Sequence, residues 1–135
     1  MCSEMTHYHG ITLSLFLCTA STVRRCQRNS GSYYPDVTLT CADPSDVITI
    51  DHAHWGRLDG VTCVVPGQPM QSTNCVSGSI MNTVRQWCEG ENSCIIQPTT
   101  EALGNPCSYT YKYLDVTYSC AGNFFRDKEQ WFIFL

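Results

Sequence analysis

Apolar and polar residues alternate over three stretches of this chain and recur at helical spacing in a fourth. Val37, Leu39 and Cys41 alternate with Thr38 and Thr40, the period of a half-buried strand. Val47-Ile48-Thr49-Ile50 is rich in β-branched residues and predicts a second strand, running towards His52-Ala53-His54-Trp55 and ended by Gly56. From Tyr111 to Cys120 the alternation is clearest. Leu114, Val116, Tyr118 and Cys120 share one face, with Lys112 on the same parity nearer the loop, while Asp115, Thr117 and Ser119 turn towards solvent. Cys94-Ile95-Ile96 reads as a short buried strand. The helical spacing belongs to 79–88, where Ile80, Met81, Val84, Trp87 and Cys88 form one face. Ser77 or Ser79 is placed to cap that helix and Gly90 to stop it. Loops are expected at 29–35, at 42–45, at 64–72 with its Pro66, Gly67 and Pro69, and at 98–105. The pattern predicts a mostly β domain with one helix.

Composition changes the picture by supplying what so short a chain lacks. The 135 residues allow one domain with a modest core, and 10 of them are cysteine. That usage points to an oxidising compartment, so the protein is expected to be secreted. Ile11 to Ala20 resembles the apolar core of a signal peptide, although no Lys or Arg precedes it, and cleavage is expected after Ala20. Residues 22–120 then form the domain, and 121–135 a tail ending in Trp131-Phe132-Ile133-Phe134-Leu135, too short to cross a bilayer. The net charge of -4 and the absence of any basic run argue against a nucleic-acid surface. No internal repeat is visible.

Removal of the leader would take Cys2 and Cys18 and leave eight cysteines, an even set. Cys88 and Cys94 flank a tight polar loop and can close with little strain. Cys41 and Cys120 each end a strand and can staple the ends of a sheet. With every thiol oxidised, a cysteine nucleophile is excluded. No Gly-x-Ser-x-Gly or phosphate loop appears, and no carboxylate pairing suggests glycosidase chemistry, so the protein is not expected to be an enzyme or to need a cofactor. His52 and His54 are spaced as a metal pair but lack a third ligand, and no calcium loop is present. Arg57 suits a structural role, bonding loop carbonyls or Asp59. Glu89 and Glu91 read as solvated.

Four features taken together carry a family resemblance: the eight cysteines, Trp55-Gly56-Arg57 after a strand, Asn105-Pro106-Cys107, and Thr110-Tyr111-Lys112-Tyr113-Leu114 before the last cysteine. Over residues 25–120 the chain resembles the rhamnose- or galactose-binding lectin domain of sea-urchin-egg and fish-egg lectins, a module also found in latrophilins. The resemblance implies a compact antiparallel β-sandwich with one helix and long loops, stapled by Cys26–Cys63, Cys41–Cys120, Cys75–Cys107 and Cys88–Cys94. It also implies a sugar site at Gln27, Trp55, Asn105, Tyr109, Thr110 and Lys112. Three of these depart from the family pattern: Gln27 and Asn105 are amides where carboxylates are expected, and Tyr109 stands where glycine is expected. An amide accepts sugar hydroxyls more weakly than a carboxylate does. Trp55 is expected to offer an aromatic face to the sugar, or else to pack at the sandwich edge. Lys112 is expected to donate to hydroxyls, or else to be a solvated strand-end lysine.

The function implied is non-catalytic, calcium-independent binding of L-rhamnose- or D-galactose-type glycans, on cell surfaces or in solution. The alternative is an extracellular protein-interaction module on the same scaffold. A single weak site implies self-association or a larger parent protein.

Overall fold

A computed structural model describes residues 2–5, 15–29 and 34–122, with 2–5 and 15–18 as backbone alone. Most of the turn expected at 29–35 and the tail from Asn123 lie outside the described residues. The backbones of β1 (Cys2–Met5) and β2 (Leu15–Cys18) pair antiparallel, with Cys2 opposite Cys18.

The domain proper is built on a four-stranded antiparallel sheet in the order β3-β8-β5-β6, comprising Ser21–Cys26, Tyr113–Gly122, Asp46–Arg57 and Cys75–Val76. A second antiparallel pair joins β4 (Val37–Thr40) to β7 (Ser93–Ile96). Helix α1 (Ile80–Cys88) packs on β5 and β7. Between these layers lie Val37, Leu39, Ile48, Ile50, Trp55, Val84, Ile96, Leu114 and Val116, all buried. The alternation read along 37–41 and 113–120 is the alternation that fills this core.

The second predicted strand is longer than expected and changes face partway. The register of β5 against β8 slips between Ile50 and His52, leaving Asp51 as an extra residue. Ile48 and Ile50 face the core before that bulge, and Ala53, Trp55 and Arg57 after it. Gly56 does not end the strand; it pairs with Val76 of β6. Its φ is +149°, and a Cβ there would sit 2.0 Å from the Cys75 carbonyl oxygen. Only glycine lets β6 approach this closely.

Helix α1 buries Ile80, Val84 and Cys88 as expected, but Trp87 is 41% exposed and lies off that face. Ser79 occupies the N-cap position without a side-chain capping bond, and Gly90 follows the C-cap with a φ of +79°. In β7, Ile96 is buried while Ile95 faces out, as in a strand with one covered face. The segment expected to be a loop at 98–105 holds a short second helix, α2 (Thr100–Leu103). The Thr99 hydroxyl caps it by accepting from the Ala102 N–H. Glu89 is not simply solvated, because its carboxylate accepts from the Ile50 N–H at 2.9 Å.

Four disulfides staple these layers: Cys26–Cys63, Cys41–Cys120, Cys75–Cys107 and Cys88–Cys94. Each agrees with the pairing the resemblance implied.

Candidate functional site

The polar residues singled out by the sequence meet where β3 ends and β8 begins. The Gln27 N–H donates to the Lys112 carbonyl at 2.9 Å, and the Lys112 N–H donates to Gln27 Oε1 at 3.0 Å. The Gln27 side chain therefore extends the β3–β8 ladder instead of presenting a free acceptor. Its Nε2 donates to Asn29 Oδ1 at 2.7 Å, and Asn29 Nδ2 donates to Gln68 Oε1 at 3.0 Å. This chain of amides ties the 64–72 loop to Lys112. Asn29 and Gln68 carry no periodic signal in the sequence, and only the tertiary structure brings them here.

The turn before Lys112 is held by the same loop. The Tyr111 N–H donates to the Pro69 carbonyl at 2.7 Å, and the Ser72 N–H to Thr110 Oγ1 at 3.1 Å. Met70 and Thr110 form an isolated antiparallel bridge. The Tyr111 hydroxyl donates to the Gln27 carbonyl, and burial raises its pKa. At the head of the turn Tyr109 adopts φ +58°, a left-handed conformation that costs an aromatic residue energy. The residue is 71% exposed.

Lys112 is neither a solvated strand-end lysine nor a paired one. The residue is 2% exposed, and its Nζ donates to the Thr110 carbonyl at 2.7 Å. No ion pair involves it among the described residues. Burial pushes its pKa down. An ammonium has three donors, so one bond leaves most of its capacity unused in a place where that is costly.

Trp55 is 0% exposed and presents no face to solvent. The bulge at Asp51 turns it inward, and its indole N–H donates to the Gly104 carbonyl at 2.9 Å. Trp55 thus anchors the loop that carries Asn105 rather than forming the floor of a site. Asn105 itself is exposed just past Gly104, whose φ is +84°. No bond joins Asn105 to Lys112 or Gln27 among the described residues.

Arg57 is the organiser of this end of the sheet. It is fully buried. Its Nε donates to the Tyr111 carbonyl at 2.6 Å, Nη1 to Asp59 and Thr62 at 3.0 and 2.7 Å, and Nη2 to Cys63 at 3.1 Å. The planar guanidinium fork satisfies four carbonyls at once and lies 5.6 Å from the Tyr113 ring centre. The loop beyond it is braced by Asp59, which accepts from the Val61 and Thr62 N–H groups and the Thr62 hydroxyl. Those bonds lower its pKa to about 2.

His52 and His54 face outwards from the sheet core. His52 is exposed, whereas His54 is covered and packs against Tyr113 with ring centres 5.3 Å apart. Among the described residues no group of three or more His, Cys, Asp or Glu side chains is placed to hold a metal ion.

The D-galactoside/L-rhamnose binding SUEL lectin domain family matches residues 39–120. The chain belongs to this lectin family. Its similarity extends to the L-rhamnose-binding lectin CSL1 of Oncorhynchus keta, 33% identical over 115 residues, which are 85% of this chain and 37% of that lectin. The L-rhamnose-binding lectin ELEL-1 of Echinometra lucunter is 33% identical over 63% of this chain and 82% of its own length. Adhesion G protein-coupled receptor L1 of Mus musculus is 33% identical over 64% of this chain, but only 6% of the receptor. The chain therefore spans a little over a third of the Oncorhynchus keta lectin and a small part of the receptor. As a SUEL lectin domain it carries Lys112, an Asn105-Pro106-Cys107 turn and four disulfides among the described residues. It carries amides at residues 27 and 105 and an aromatic at residue 109.

Proposed function

We propose that this domain binds glycans of the L-rhamnose or D-galactose type, reversibly and without calcium, at the turn formed by Tyr109, Thr110 and Lys112 beside Gln27, with Asn105 at its rim. The observation that carries this reading is the Lys112 ammonium, held under the turn with a single bond and unused donors. Sugar hydroxyls are acceptors that can take those donors. Membership of a lectin family whose relatives are named for L-rhamnose supports the ligand class. Trp55 has no direct contact in this scheme and acts through the Asn105 loop. The exposed Tyr109 ring is the aromatic available to a sugar's apolar face.

The protein is proposed to act outside the cell, after removal of residues 1–20, with residues 22–120 as the binding unit. Affinity at one such site is low, so function would draw on several copies, through self-association or a larger parent chain. A second reading, docking of an extracellular protein, is favoured by the exposed Leu58, Val61, Val64 and Val76 side chains on and beside the loop that Arg57 braces.

Titration of L-rhamnose and D-galactose into the oxidised protein, followed by NMR, tests the lectin reading. Saturable shifts confined to Lys112, Gln27 and Tyr109, unchanged by EDTA and lost in Lys112→Ala, are the expected result. A folded sample silent to both sugars sinks it and turns the search to protein partners.

A further inference from the structure

Among the described residues the charge at this site has no counterpart. Lys112 is buried with one carbonyl as its acceptor. The side chains beside it in the hydrogen-bonded network, Gln27, Asn29 and Gln68, are all neutral amides. The acidic groups on the surrounding segments are committed elsewhere. Asp36 accepts from Arg28 Nη1 at 2.6 Å, and Asp59 is spent on the N–H groups of its own loop. Burial alone perturbs Lys112, with no charged neighbour contributing to the shift.

Resting on the lectin reading above, we infer that the ligand is an acidic saccharide, a hexose carrying a carboxylate or sulfate, held by the otherwise unpaired Lys112 ammonium. A buried cation without an anion is the costly half of an ion pair, and the ligand supplies the other half. An anionic acceptor adds Coulombic attraction to the hydrogen bond, and the low-dielectric surroundings strengthen it further. A neutral sugar hydroxyl can accept from Lys112 but leaves its charge unmatched. On binding, the anionic oxygen takes the Lys112 donors that the Thr110 carbonyl leaves unused, and the turn headed by the exposed Tyr109 is the route of approach.

D-galacturonate and D-galactose share their ring stereochemistry and differ at C6 by a carboxylate, so comparing them isolates the charge. Both are titrated by NMR into the full oxidised chain, at low and at high salt. Galacturonate is expected to bind about tenfold more tightly, with the gap narrowing as salt rises. In Lys112→Met the gap is expected to close. In Gln27→Glu, which sets a carboxylate on the residue bonded to Lys112, it is expected to shrink; this second variant keeps the test open if the first fails to fold. Galactose binding as tightly as galacturonate would overturn the inference and leave the lectin reading standing, with Lys112 donating to neutral hydroxyls. Silence to both sugars in a folded sample would overturn the two together.

Discussion

His54 shows how one side chain can be set against its surroundings. It lies on the outer face of the sheet beside Tyr113, opposite Asp115 and two residues from His52, with Arg24 one strand further out. Asp115 is occupied by Arg24, whose Nη2 donates to it at 2.8 Å. The His54 Nε2 is buried without a hydrogen-bond partner among the described residues. Burial is the main cause lowering its pKa below the ordinary 6.5. Asp115 opposes that shift, while His52 and Arg24 add to it. The sign of the linkage follows. Above 6.5 the histidine is neutral whether the chain is folded or not. Below it the unfolded chain takes up a proton that the folded chain resists, so stability falls as the pH drops. Urea denaturation is expected to show lower stability at about pH 5.5 than at pH 7, and His54→Phe to flatten that slope. An unchanged slope in the variant would remove His54 from the account.

Among the elements, β5 sets the arrangement of the site. Its sequence places apolar residues at 48 and 50 and then at 53 and 55, which no regular strand can put on one face. The bulge at Asp51 resolves the conflict, sending Trp55 and Arg57 inward and the two histidines outward. The parity jump is present in the sequence, but the strand predicted at 47–50 takes no account of it, and the bulge is what places Trp55 in the core. The strand then crosses β6 at Gly56, where a methyl group would overlap a backbone carbonyl. Gly56→Ala is expected to cost about 2–3 kcal/mol or more, because neither strand can yield without losing the Ser77 N–H bond to the Trp55 carbonyl. Thermal unfolding checks this, and a variant within experimental error of the parent would show that β6 can move aside.

The whole molecule depends on covalent closure because its core is small. Cys41–Cys120 links residues 79 apart, whereas Cys88–Cys94 links residues 6 apart. By loop-closure entropy the first is worth about 4.5 kcal/mol and the second about 2 kcal/mol. Replacing both members of a pair with alanine is therefore expected to destabilise the chain about twice as much for the long link as for the short one. Chemical denaturation of the two double variants measures that ratio. Equal losses would mean that native-state contacts around each bridge, rather than chain entropy, set its worth.

Much of this domain was legible in the sequence. Alternation at 37–41 and 113–120 and helical spacing at 80–88 gave the core-facing residues, Trp87 excepted, because burial on one side imposes a period on the chain. Cysteine spacing gave two of the bridges on local grounds, and the motifs around Trp55, Asn105 and Lys112 gave the lectin family. The disposition of the site side chains required tertiary structure. Whether Trp55 faced a ligand depended on a bulge four residues earlier. Whether Gln27 could accept from a sugar depended on its bond to the Lys112 N–H, from a strand 85 residues away. The burial of Lys112, the lack of a carboxylate beside it among the described residues, and the amide chain through Asn29 to Gln68 arise where three distant segments converge, and contacts between such segments leave no period in any one of them.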